Sequence, residues 1–234
     1  MEINIYRIPN NILLNYNEIY IKRKYWEKWT DLNENKLWLN VVFCLLSSNV
    51  KSELAHSASI YLWKRGMLNR SWLIKEPNSI NILSTELSKP IFKPFRKNGM
   101  GRKYRYPCKG ASNIVFTAKN LSKNKIKIKR LLNNGFDETM VRNKLIENVY
   151  GFGLKQATHF LRNIGYSKSL AIIDTHIISF LNMISNNSFK KDYKNLTNAK
   201  YLELEEMFIK LCNELNVDLS IFDIAVWNYM REKN

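Results

Sequence analysis

The stretch GFGLKQATHFLRNIGY, residues 151–166, sets a lysine just after a Gly-Phe-Gly turn and at the start of a helix. Ala157, Phe160, Leu161 and Ile164 recur at helical spacing, and Gly165 follows as a stop. Upstream, DETMVRNKLIENVY (137–150) predicts a second amphipathic helix with Met140, Val141, Leu145 and Val149 on one face. Gly151 and Gly153 allow backbone angles that other residues resist. The product is a helix, a glycine hairpin and a helix over about 137–164. Free amides at the second helix's N-terminus form an anion site that needs no side chain. On DNA such a turn holds a phosphate without reading sequence. Thr158, His159 and Arg162 share the polar side with Lys155, so a solvated lysine is the plain alternative.

Helical periodicity continues in both directions. LWLNVVFCLLSS places Leu37, Trp38, Val41, Val42, Leu45 and Leu46 on one face, and SELAHSASIYLWKRG repeats the pattern before Gly66. EPNSINILSTELS predicts a helix starting at Asn78 or Ser79, and residues 110–121, 175–184, 198–215 and 219–230 also read as helices. Short strands are expected only within the first twenty residues, around NIYRI. The pattern breaks in KPIFKPFRKNGMGRKYRYPCKG, an irregular basic loop where Arg96, Lys97, Arg102, Lys103 and Arg105 interleave with Phe95, Tyr104 and Tyr106. That mixture suits a phosphate-contacting surface. KNLSKNKIKIKR (119–130) is basic with no offsetting acid, and NNSFKKDYKNLTN (186–198) reads as a polar connector. The expected fold class is all-α, one unit over 1–234 built of two helical lobes.

Bulk properties narrow the partners. The 234 residues carry 37 Lys and Arg against 20 Asp and Glu, a net charge of +17 and a pI near 9.7. Such an excess points to a polyanion. No apolar run approaches the roughly 20 residues that span a bilayer, and MEINIYRIPNN lacks the basic start and apolar core of a signal peptide. The expectation is a soluble intracellular protein. Cys44, Cys108 and Cys212 have neither metal-ligand spacing nor a disulfide framework. An iron–sulfur cluster would need four thiolates.

After the hairpin comes YSKSLAIIDTHIISFL, in which Leu170 to Ile173 is a short buried apolar link and Asp174 opens the next helix. A carboxylate there is an ordinary N-cap. Its pairing with a helix-start lysine behind a phosphate-binding turn is not explained by capping. GFGLKQATHFLRNIGYSKSLAIIDTHI resembles the signature of the helix-hairpin-helix (HhH-GPD) DNA glycosylases. Within them it is most similar to the 8-oxoguanine DNA glycosylase/AP lyases of the compact archaeal type. CLLSSNV (44–50), YRYP (104–107) and DIAVWNYM resemble further parts of that family, and about two thirds of the chain is covered.

The resemblance implies a two-lobed all-α glycosylase fold and a base-excision-repair enzyme. Lys155 and Asp174 match the catalytic pair. Gly151, Phe152 and Gly153 match the DNA-gripping hairpin, Asn49 the polar wedge that enters the duplex, and Arg105 a DNA contact. Trp227 matches an aromatic that stacks on the extruded base. Asp223 also matches, with a structural role at its helix equally open, and His159 reads as a satisfied histidine rather than a catalyst. The REKN ending differs from the family's usual one, which leaves the lesion open. No side-chain metal site and no organic cofactor are implied; the hairpin backbone is expected to hold a monovalent cation.

The chemistry implied is extrusion of the nucleotide, attack of the Lys155 amine on C1′ to form a Schiff base, and β-elimination that nicks the strand. Asp174 would orient the lysine and stabilise positive charge on the sugar. The expected partner is duplex DNA containing a damaged base, met by a monomer in the cytoplasm at the nucleoid. Three other readings stay open. One is the same chemistry on another oxidised or modified purine. The others are a non-catalytic helix-hairpin-helix DNA binder and an RNA-binding or ribosome-associated basic protein.

Overall fold

The computed structural model describes residues 4–22, 28–185 and 196–233. Most of the connector expected at 186–198 lies outside them. Among the described residues the elements are helices, and β pairing is limited to isolated bridges such as Phe92 with Arg102. None of these helices is long and apolar enough to cross a membrane. The chain divides into two compact units. A central unit spans Thr30–Ile164, and a terminal unit joins Met1–Trp29 to Gly165–Asn234.

The central unit is organised around α2 (Glu34–Leu46), whose Leu37, Trp38, Val41, Val42, Cys44, Leu45 and Leu46 are all buried. Asn33 caps it by accepting the Lys36 N–H at 2.9 Å, and Trp38 donates to the Leu68 carbonyl at 2.9 Å. Around it come α3 (Ser52–Lys64), α4 (Arg70–Lys75), α5 (Ser79–Leu87), α6 (Pro107–Lys123), α7 (Ile128–Leu132), α8 (Glu138–Asn148) and α9 (Leu154–Asn163). Helices α3, α6, α7 and α9 all pack on α2, and α5 lies along α6.

Two of these elements escape sequence periodicity because they are short and held from outside. The first two amides of α7, Ile128 and Lys129, donate to the Glu34 carboxylate of α2, each at 2.9 Å. The same carboxylate meets Arg70 of α4 at 3.1 Å. One acidic side chain therefore caps a helix and ties two others, which no local pattern announces.

The terminal unit holds α1 (Asn10–Lys22), α10 (Thr175–Ile184), α11 (Asn198–Glu214) and α12 (Leu219–Lys233). Phe180, Phe208 and Phe222 form its aromatic centre, with ring centroids 5.8 to 6.3 Å apart. Among the described residues the strands expected near the N-terminus are absent. Ile5–Arg7 is a 3-10 turn capped by Asn4, and α1 follows. Ile12 is buried and Tyr16 meets Phe222 at 6.4 Å, so the buried period is four rather than two.

Three smaller expectations change. Met140 is exposed, and the buried residue beside Val141 is Arg142, which donates to Thr158 of α9 at 3.3 Å. Thr158 is therefore inside the helix pair rather than on the polar side of Lys155. In the basic loop, Tyr104 is core: its hydroxyl donates to the Leu46 carbonyl at 2.9 Å. Phe95 stays exposed.

Candidate active site

The hairpin is built by local chemistry and then braced. Asp137 caps α8 by accepting the Met140 N–H at 2.7 Å. After Asn148 the chain turns through Gly151, whose φ of +88° lies in the left-handed region that L side chains avoid. An added Cβ there would also stand 2.3 Å from the Asn113 amide nitrogen. Gly153 differs from the sequence expectation. Its φ of −119° is ordinary and nothing lies within 4 Å of an added Cβ. Any residue could adopt that backbone, so what glycine provides is open space in front of α9. Phe152, between them, is buried and its ring lies 6.3 Å from Phe160.

Helix α6 holds the turn from behind. Thr117 accepts the Tyr150 N–H at 3.0 Å, and Asn120 donates to the Asn148 carbonyl at 3.0 Å. Gly153 is the N-cap of α9 and supplies no side-chain cap. The first amides of α9 thus face outward with no capping side chain, the arrangement that binds an anion.

Lys155 is the second residue of α9 and is half-buried. Within the central unit its amine makes no hydrogen bond or ion pair among the described residues. One turn on, His159 has Nδ1 3.5 Å from the Ser47 hydroxyl and its ring edge-on to Phe43 at 5.6 Å. Burial first, then the charges of Lys155 and Arg162, push its imidazole down to about 4. The ring is neutral near pH 7, consistent with a packed histidine between α9 and α2. Asn163 reaches Cys44 of α2 at 3.7 Å, and burial pushes that thiol up.

The same C-terminal end of α2 leads into the wedge candidate. Asn49 lies in the turn after Leu46, exposed, with φ of +55°. Its carbonyl accepts from Arg105 Nη1 at 3.4 Å, and the Arg105 guanidinium covers the Tyr106 ring at 5.0 Å. The central unit therefore brings Asn49 and Arg105 together and lashes the helix before Asn49 to the helix bearing Lys155.

Asp174 belongs to the terminal unit, where it caps α10. Its Oδ1 accepts from both His176 N–H and Ile177 N–H at 2.9 Å. Both bonds fall on one oxygen, so Oδ2 is not consumed by the cap. The link before it is extended and buried, and its amides have side-chain partners. Ala171 donates to Glu205 at 3.2 Å, Ile172 to Asp223 at 3.1 Å and Ile173 to the Tyr201 hydroxyl at 3.2 Å. Tyr201 in turn donates to the Ala171 carbonyl at 3.0 Å. Asp223 thus has a defined structural task. Glu205 and Tyr201 were not visible in the sequence as partners of this link; a carboxylate on the apolar stripe of α11 was the available signal. Trp227 is half-buried, with His176 edge-on at 5.8 Å and the Arg231 guanidinium 4.6 Å over its ring.

No group of three or more His, Cys, Asp or Glu among the described residues is arranged to hold a metal ion.

The chain is similar to proteins of one family. The profile of the family described as 8-oxoguanine DNA glycosylase matches residues 21–217. The 8-oxoguanine DNA glycosylase/AP lyase of Methanocaldococcus jannaschii is 39% identical over 104 residues, 44% of this chain and 48% of that protein. That of Aquifex aeolicus is 30% identical over 202 residues, 84% of this chain and 76% of that protein. The chain thus spans about half the length of the first of these relatives and three quarters of the second. The crystal structure of the M. jannaschii 8-oxoguanine glycosylase/lyase in complex with a 15mer DNA containing 8-oxoguanine superposes with a TM-score of 0.69. The identity there is 26%, over 96% of this chain and 97% of that one. The 8-oxoguanine DNA glycosylase of Thermotoga maritima gives a TM-score of 0.60 at 26% identity, over 92% and 86%. With an all-α fold, a glycine hairpin leading into a lysine, and a profile match over most of its length, the chain belongs to the 8-oxoguanine DNA glycosylase family of helix-hairpin-helix proteins.

Proposed function

We propose that this chain is a bifunctional DNA glycosylase/AP lyase that removes 8-oxoguanine from duplex DNA in base excision repair. The observation that carries the reading is Lys155 at the uncapped start of α9, directly behind the Gly151 turn, in a member of this family. The amides of the turn and of α9 hold a phosphate, and Asn49 with Arg105 enters the duplex where the nucleotide leaves the stack. Trp227 stacks on the extruded base.

The Lys155 amine, in its neutral form, bonds to C1′ as the N-glycosidic bond breaks and the base departs with the bonding pair. The aminal nitrogen loses a proton and the sugar ring opens to a Schiff base. Loss of a C2′ proton then expels the 3′ phosphate and nicks the strand. The side chain of Asp174, at the N-terminus of α10, orients the amine and stabilises positive charge on the sugar. The free Oδ2 beside a fully used Oδ1 is compatible with capping and chemistry in one side chain. A monovalent cation on the carbonyls between Asn148 and Gly153 would brace the turn that meets the phosphate. We take the protein as a monomer working in the cytoplasm at the nucleoid.

Borohydride trapping on duplexes carrying 8-oxoguanine, other oxidised purines or an abasic site tests this. Wild type should form a covalent adduct with 8-oxoguanine and abasic duplexes, and Lys155→Gln should form none. An adduct that persists in the variant would identify another amine as the nucleophile. Trapping only with a different purine would reassign the lesion.

A further inference from the structure

The outer face of α6 carries a pattern that the hairpin does not use. Lys109, Phe116 and Lys123 recur every seventh residue, and all three are exposed. At about 1.5 Å per residue the two lysines stand about 21 Å apart along the axis, roughly six base-pair steps of about 3.4 Å. Between them, Asn113, Thr117 and Asn120 are the residues that touch the hairpin turn. Phe116 therefore sits beside that turn. Its ring lies 5.6 Å from the ring of Tyr150, the residue immediately before Gly151. Both rings are open to solvent, 43% and 52% exposed.

Single exposed aromatics are common. Here two are in mutual contact, centred between cations and adjoining an uncapped helix N-terminus. The surroundings have one sign of charge. From Lys89 to Arg130 the chain carries fourteen basic side chains, and no acidic residue occurs between Glu86 and Asp137. The nearest acid along the hairpin, Glu147, is paired with Lys144 at 3.3 Å. A DNA strand alternates anionic phosphates with apolar deoxyriboses, and this stripe alternates in the complementary sense.

We propose that Phe116 and Tyr150 form an apolar saddle for a deoxyribose of the strand whose phosphate the hairpin holds, with Lys109 and Lys123 meeting phosphates to either side. This rests on the hairpin being a DNA contact.

The test is fluorescence anisotropy of the full chain with lesion duplexes whose flanks are lengthened stepwise on each side, repeated across salt concentrations. Phe116→Ala/Tyr150→Ala should bind about tenfold more weakly once the duplex reaches the saddle, with the slope of affinity against salt unchanged. Tyr150→Phe should bind as wild type. Lys109→Gln/Lys123→Gln should lower the salt slope by about two. Unchanged affinity of the double alanine variant at every length overturns the proposal. So does an equal loss at every length, which reports damage to the hairpin itself. Borohydride trapping of wild type on abasic duplex keeps the enzymatic reading separate. A missing adduct removes the lyase chemistry, while the saddle stands or falls on affinity alone.

Discussion

Asp174 satisfies the helix-cap rule with one oxygen and leaves the other outside the cap. Asparagine caps helices about as well as aspartate, so Asp174→Asn keeps the cap on α10 and removes only the charge. Single-turnover excision should fall at least tenfold with DNA affinity and melting temperature nearly unchanged. Equal losses in excision and affinity would mean that the residue only holds the helix. His159 makes a separate prediction. Its folded pKa, about 4, is below the ordinary value of 6.5. The unfolded chain therefore binds more protons between those values, and stability rises with pH across that window. Denaturant titrations should show stability falling as pH drops from about 6.5 toward 4. His159→Gln should flatten that part of the slope; an unaltered slope would remove His159 as its source.

At the scale of elements, the hairpin separates two glycines that look alike in sequence. Gly151→Ala forces a side chain into the left-handed region and against Asn113, costing about 1–3 kcal/mol, read as a lower melting temperature. Gly153→Ala meets neither obstacle. Its melting temperature should stay near wild type, and duplex affinity should drop because the methyl stands in front of the α9 amides. The reverse ranking would contradict the assigned geometry. Helix α7 offers a second test. Glu34→Ala removes its external cap and the Arg70 pair together, so about 1–2 kcal/mol of stability should be lost. Asn or Asp at Lys127, the N-cap position, should recover part of it.

For the whole molecule, charge and fold have different origins. The +17 excess gives a surface that attracts a polyanion without specifying any site. The affinity of wild type for duplex should fall steeply with salt, by about 0.9 logarithmic units per phosphate contacted for each tenfold rise. A flat response would remove the basic loop and α6 from the interface.

The amino-acid sequence by itself determined the helical class, most of the long helices and the candidate residues. Apolar spacing, cap residues and glycine stops are local, and helices obey local rules. GFGLK followed by IIDTH carried the resemblance on which the proposed chemistry rests. Tertiary structure decided what depends on residues distant in the chain. It made Asn10–Lys22 a helix by burying Ile12 and placing Tyr16 on Phe222. It stabilised α7 through Glu34, more than ninety positions away, and put Thr158 and Tyr104 inside. Glu205, Asp223 and Tyr201 became hydrogen-bond acceptors for an extended link with no strand beside it among the described residues. Those buried amides need acceptors, and only folding can bring α11 and α12 to supply them.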